Sequence, residues 1–211
     1  MKLYLSRLLL SPANAQVRAE LRSPYEMHRT LSKAFPFEHG TGGGDVVAER
    51  VLFRVDPPTR SGAIPVLVQS RNRPDWSALT ASDGYHAEPP AVKEFEPSFA
   101  AGQRFAFRLR ANPTVKRNGK RFGLYGEREQ AEWLHRKGAQ GGFVPERFGA
   151  VIEDRMLRME RKDDRMEFLA VRFDGVLRVL EPEALLATLA TGIGSAKAFG
   201  FGLLSLAPIR D

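Results

Sequence analysis

Apolar positions fall into short runs that switch between strand and helix periods along the chain. Lys2 to Leu10 is leucine-rich and stops at Ser11-Pro12, which predicts a core strand feeding a turn. Asn14 to Arg22 sets Val17 and Leu21 four apart on one helical side, and Ser23-Pro24 then supplies an N-cap and a first-turn proline for a second helix, Pro24 to Phe35. Val46 to Val55 and Ile64 to Ser70 are β-branched runs parted by Asp56-Pro57-Pro58 and Ser61-Gly62, hence two strands. Arg71 to Pro97 is proline-rich with little periodicity and reads as a linker inside which the first domain ends.

The second half repeats the alternation. Phe105, Phe107 and Leu109 alternate with Arg104, Arg108 and Arg110 as in a half-buried strand, and a basic loop follows. Glu127 to Lys137 reads as a helix, and Val151 to Arg172 as a long hairpin turning near Lys162-Asp163-Asp164. Asp174-Gly175 is a two-residue turn signal before Val176 to Leu180. Glu181 to Ala190 is a helix opened by Pro182, and Gly192 to Gly202 leads to a last strand, Leu203 to Ala207. Strands interleaved with about two helices in each half predict an α+β fold of tandem ferredoxin-like (RRM-like) βαββαβ domains, residues 1–90 and 91–211.

Composition narrows the classes. A chain of 211 residues that is 43% hydrophobic and 27% charged is globular and holds one domain or two small ones. With no cysteine, disulfides, thiolate metal sites and thiol catalysis are excluded. No apolar run approaches the roughly 20 residues of a bilayer span. The Ala13-Asn14-Ala15 string resembles a secretory cleavage site, but the apolar run before it is short and broken by Arg7, so a cytoplasmic location is expected. Neither helix before Phe35 is the basic amphipathic kind that lies on membranes, so no membrane partner is expected.

Net charge is +7, and it is concentrated. Arg104, Arg108, Arg110, Lys116, Arg117, Lys120 and Arg121 fall between residues 104 and 126 with no acid among them, so this window carries the whole excess. With Phe105, Phe107 and Phe122 interleaved, it suits phosphate binding along a groove; a solvated basic loop is the other reading. The 153–167 hairpin, Arg158 included, balances its basic residues with acids, which cross-strand pairing explains equally well.

Candidate chemistry centres on the Pro24 helix. At 100° per residue Met27, Leu31 and Ala34 share one side, Tyr25, His28, Arg29 and Ser32 the other, with Lys33 at the edge. A phenol, an imidazole and two cations on one helix face can move protons and neutralise phosphate without a metal; they also suit a solvated surface. The four histidines, His28, His39, His86 and His135, show no metal-ligand spacing, so neither a metal nor a small-molecule cofactor is expected. Gly192 to Gly202, with Lys197 inside it, is not a P-loop; it serves either as a structural turn or as a close backbone approach to phosphate.

Ser11-Pro12 after the first strand, the string Pro24-Tyr25-Glu26-Met27-His28-Arg29-Thr30-Leu31 and the terminal GxGxxxxxGFGLL together closely resemble the CasE family, the CRISPR precursor-RNA endoribonucleases of type I-E Cascade, over the whole chain. The resemblance implies tandem ferredoxin-like domains, cleavage at the base of each repeat hairpin, and retention on the product beside other Cascade subunits. It matches Tyr25 and His28 to the family's catalytic pair, and Lys33 to a lysine near the scissile phosphate. Arg110 and the loop Lys116, Arg117, Lys120, Arg121 fall where the family grips the RNA hairpin; Arg29, Arg104, Arg108 and Arg158 are further cationic candidates. The family's glycine loop corresponds to Gly192, Gly194, Lys197, Gly200 and Gly202. The implied reaction is attack by a ribose 2′-hydroxyl on the adjacent phosphate; a non-catalytic RNA-hairpin-binding module is the alternative.

Overall fold

The computed structural model describes residues 1–35, 50–80, 83–161 and 164–209; His39, Val46 to Glu49 and the Lys162-Asp163 turn lie outside them. The chain divides into two compact units, Met1–Glu96 and Pro97–Asp211.

In the first unit the order is β1 (Leu3–Leu10), α1 (Ala15–Arg22), α2 (Pro24–Ser32), β2 (Leu52–Val55), β3 (Ile64–Ser70), α3 (Ser77–Thr80) and β4 (His86–Phe95). The strands form an antiparallel sheet in the order β2-β3-β1-β4. Asn14 caps α1, its side chain accepting the Val17 N–H at 3.1 Å, and Pro24 opens α2 without a side-chain cap from Ser23. Val17 of α1 and Met27 and Leu31 of α2 are buried against Leu8, Leu10, Phe53, Val66 and Val68 of the sheet.

One polar group is sealed beneath these helices. Glu20 of α1 is 3% exposed and accepts from Gln16 Nε2 at 2.8 Å, Thr30 Oγ1 of α2 at 2.6 Å and the Tyr85 hydroxyl at 2.5 Å. Burial, and then the bond to Glu20, drives the Tyr85 phenol far above its ordinary value, so it stays a donor at any working pH. The carboxylate thus ties α1, α2 and the entry to β4 together. Glu20→Ala strands two buried hydroxyls and should cost about 2–4 kcal/mol of stability. The check is urea unfolding, where the midpoint falls at unchanged slope.

The second unit runs β5 (Arg104–Ala111), β6 (Thr114–Arg117), β7 (Lys120–Gly123), α4 (Glu127–Gln140), β8 (Phe143–Arg161), β9 (Asp164–Val179), α5 (Pro182–Thr191), a 3₁₀ turn (Lys197–Phe199) and β10 (Leu204–Pro208). Its antiparallel sheet is ordered β10-β5-β9-β8, with β6-β7 as a separate two-stranded hairpin. Trp133 of α4 and Leu185 and Leu189 of α5 pack on Phe107, Leu109, Phe173 and Leu177, and the Trp133 indole stacks on Phe173 at 5.9 Å. In both sheets the first strand in chain order lies between the third and the last, with helices filling the crossovers. That is the ferredoxin-like arrangement, in tandem.

Three expectations are corrected. The proline-rich stretch after Arg71 is not a linker: it holds α3 and the ten-residue β4, an edge strand that includes Pro89 and Pro90. The pairing of β1 with β4 skips there, from Leu9↔Glu88 to Arg7↔Ala91, because two residues without N–H cannot continue the ladder. Asp174-Gly175 is no turn but lies within β9, paired with Arg108 and Phe107 on one side and Gly149 and Phe148 on the other. A Cβ on Gly175 would stand 2.6 Å from the Phe148 Cα, so the glycine is there for a close strand approach. The basic loop is the β6-β7 hairpin, closed by Asn118-Gly119 with φ of 48° and 79°, a two-residue turn suited to strand twist.

Candidate functional site

The first part of the candidate site stands on α2. Met27 and Leu31 point into the core, and 100° and 60° round the axis from them respectively comes His28, on the shoulder of the apolar stripe. The imidazole is therefore half-buried, not on an open polar face, with its ring tilted 6.1 Å from that of Phe53 in β2. Tyr25 and Ser32 are likewise half-buried, while Glu26, Arg29 and Lys33 are exposed. The Ser32 hydroxyl donates to the His28 carbonyl at 2.7 Å, tightening the end of the helix.

Burial lowers the His28 pKa below its ordinary 6.5, so the neutral ring, the form that can accept a proton, predominates at pH 7. Tyr25 lies three residues earlier and about 60° round the axis, so phenol and imidazole share one side of α2. Arg29 pairs with Glu26 at 2.9 Å, both well exposed, a bond weak enough to yield to a phosphate. Lys33 is the C-cap, five residues on and about 140° from His28, so helical geometry sets it off the Tyr25–His28 line.

The second part belongs to the other unit, and here the charge count of the sequence is redistributed. Arg104 pairs with Glu146 at 2.7 Å, Arg108 with Asp174 at 2.5 Å and Arg110 with Glu153 at 2.7 Å. Arg178 and Arg172 share these acids. Burial of Asp174 alone would raise its pKa, but the hydrogen bonds from Arg108 and Arg172 outweigh it and hold the carboxyl below its ordinary value. The Arg110 guanidinium also lies over the Phe201 ring at 4.6 Å. These three arginines are thus partnered by acids 42 to 66 residues away in sequence, and they do not stand as the row of unpaired cations that the local count predicts.

The hairpin cations differ. Lys116, Arg117, Lys120 and Arg121 are exposed and form no ion pair among the described residues. The register sets Lys116 opposite Arg121 and Arg117 opposite Lys120. Like charges directly opposed destabilise a bare hairpin, and a polyanion laid along it relieves the repulsion. Phe122, half exposed on the same hairpin, offers a stacking face. Arg158 lies in β8 opposite Glu167, with its side chain outside the described residues.

The glycine loop is explained from within. Gly192, Gly194, Gly200 and Gly202 all have positive φ, from 73° to 89°, and Ala196 joins them at 62°. Gly202 receives Ile193 N–H at its carbonyl and donates to the Arg110 carbonyl, and a Cβ there would stand 2.7 Å from Ile193 O. The loop closes on β5 through Gly202 and on Trp133 through Gly194, and packing within the chain accounts for those two glycines. Lys197 starts the 3₁₀ turn inside it. Among the described residues no three His, Asp or Glu side chains gather as a metal site, and no helix is long and apolar enough to cross a membrane.

Sequence reading missed two contributors. Phe53, which sets the burial of His28, sat inside a strand with nothing to mark it. Asn118-Gly119 did mark the hairpin, as the commonest two-residue turn signal between alternating segments.

Tandem ferredoxin-like units, one bearing an imidazole beside a phenol and the other a cationic hairpin, define a protein of the CRISPR machinery: the family model described as "CRISPR associated protein" matches residues 3–208. Within that class the chain belongs to the Cse3/CasE family of CRISPR-associated endoribonucleases. It is 41% identical to the CRISPR-associated endoribonuclease Cse3 of Thermus thermophilus, over 98% of this chain and 100% of the relative. It is 30% identical to the CRISPR system Cascade subunit CasE of Escherichia coli (strain K12), with the same coverage. A solved structure of Thermus thermophilus Cse3 bound to an RNA representing a pre-cleavage complex is 40% identical and superposes with a TM-score of 0.85, covering 99% of this chain and 100% of that one.

Proposed function

We propose that this chain cleaves CRISPR precursor RNA at the base of its repeat hairpins, without a metal, and stays on the product as a subunit of a cytoplasmic Cascade assembly. What supports the substrate class is full-length similarity to an endoribonuclease solved with RNA in a pre-cleavage state, and to a Cascade subunit. The observation that carries the mechanism is the half-buried imidazole sharing a helix side with a phenol.

The ribose 2′-oxygen attacks the adjacent phosphorus as the bond from phosphorus to O5′ breaks. His28 takes the 2′-hydroxyl proton, and the departing O5′ takes a proton from solvent, to which the imidazolium returns the one it removed. The products are a 2′,3′-cyclic phosphate and a 5′-hydroxyl. Tyr25 orients the attacking group, while Lys33 and Arg29 offset charge growing on the phosphorane oxygens. In this reading the two units divide the work: the first holds the reacting ribose, and the second grips the folded RNA through Lys116, Arg117, Lys120 and Arg121. Hairpin shape and phosphate contacts dominate recognition, because side chains cannot read the deep major groove of A-form RNA.

The test is a labelled repeat hairpin incubated in EDTA beside its 2′-deoxy analogue at the cleavage position. The ribose substrate should be cut in EDTA to a cyclic-phosphate end and the deoxy substrate left intact. Cleavage of the deoxy substrate overturns the mechanism, and loss of cleavage in EDTA overturns its metal independence.

A further inference from the structure

At the base of the β6-β7 hairpin the second unit has a pocket of about 120 Å³, lined by Asn112, Arg121, Gly123, Tyr125, Glu167 and Phe168 among others. A dry cavity of roughly 150 Å³ holds benzene whole, so this smaller one, open at its mouth, encloses most of a single six-membered ring and a lesser share of a fused pair. Its walls suit an aromatic guest. Phe168 is held rigid by the rings of Phe199 at 4.8 Å and Phe201 at 6.0 Å, both from the glycine loop. Tyr125 lies against Gly123, where an added Cβ would come within 3.1 Å of its ring.

Its polar groups are asymmetric. Glu167 brings an acceptor carboxylate and Arg121 a forked donor. The buried Asn112 accepts the Leu169 N–H at 3.2 Å through its amide oxygen, which fixes the side chain and turns its NH₂ into the remaining hydrogen-bonding end.

We propose that this pocket receives one unpaired pyrimidine base of the RNA and selects cytosine. Cytosine's N4 amino group donates to the Glu167 carboxylate, while its O2 and N3 accept from Arg121 and the Asn112 amide. Uracil places its O4 acceptor where the amino group would be, facing the carboxylate. A carboxylate has about four acceptor positions, so Glu167 can keep a protein partner and still take the base. Arg121 links the pocket to the cationic hairpin, so phosphates tracked by Lys116, Arg117 and Lys120 deliver the base to it. The guest is single-stranded, since a paired base cannot offer this edge.

The inference rests on the RNA-cleaving reading above and adds base selection to it. The experiment measures binding of the full chain to fluorescein-labelled RNA hexamers of cytidine, uridine and adenosine, with cleavage of the repeat hairpin assayed on the same preparation. The cytidine hexamer should bind about tenfold or more tighter than the uridine hexamer, with adenosine also weaker. Glu167→Gln, whose amide can donate to O4, should bring the cytidine-to-uridine ratio to about one or reverse it. A wild-type ratio near one, through equal or through absent binding, overturns the pocket assignment, as does a preference that survives Glu167→Gln. Loss of the preference with hairpin cleavage intact refutes the pocket alone; preference without cleavage refutes the catalytic reading alone.

Discussion

His28→Ala should lower single-turnover cleavage of a repeat hairpin by about 10² to 10⁴-fold, the usual worth of a positioned proton-transfer group, while RNA affinity changes little. The imidazole touches Phe53 at the core's edge, so the variant trims packing at one point and leaves α2 anchored by Met27, Leu31 and the Thr30–Glu20 bond. The pH profile separates catalysis from packing. Burial holds the His28 pKa below 6.5, and a base works in its neutral form. The wild-type rate should therefore climb from pH 5, with its inflection below 6.5, and be flat at pH 7. A rate that falls as pH rises through that window assigns His28 to the acid role and contradicts the base assignment. An undiminished rate in His28→Ala removes it from the chemistry.

Replacing Lys116, Arg117, Lys120 and Arg121 together by Gln should weaken RNA binding strongly and reduce the slope of log affinity against log salt by about three to four, roughly one for each phosphate no longer neutralised. Arg108→Gln is the contrast. Its guanidinium is already committed to Asp174 in a sheet-face network, so the slope should barely change. Removing the four hairpin cations also removes their mutual repulsion across the strands, so the variant should unfold no more easily than the wild type. Slopes that coincide before and after the fourfold change eliminate the hairpin as the grip.

Where local pattern governs structure, the sequence was readable. The alternation of Phe105, Phe107 and Leu109 with arginines became β5, and Ser23-Pro24 marked the start of α2. Legibility failed where distant parts of the chain decide the outcome. Counting charge in the 104–126 window could not foresee Glu146, Glu153 and Asp174 arriving from β8 and β9. No local signal marks Glu20 as buried, which follows only from Thr30 and Tyr85 converging on it. Gly175 mimics a turn because the strand it must admit, at Phe148, lies 27 positions upstream. For the candidate site, Tyr25 and His28 were visible as residues sharing a helix side. The half-burial that tunes the imidazole was not, because it depends on a phenylalanine from another strand.

The paired prolines of β4 bear on behaviour in a crowded solution. A long solvent-facing strand is an invitation for neighbouring molecules to zip edge to edge into fibrils. Successive residues of a strand direct their backbone amides alternately inward and outward, so whichever of Pro89 and Pro90 faces away from β1 withholds a donor from an incoming chain. The same pair that disturbs the register within the molecule therefore guards its flank, and concentrated protein should resist growing into cross-β aggregates from that side.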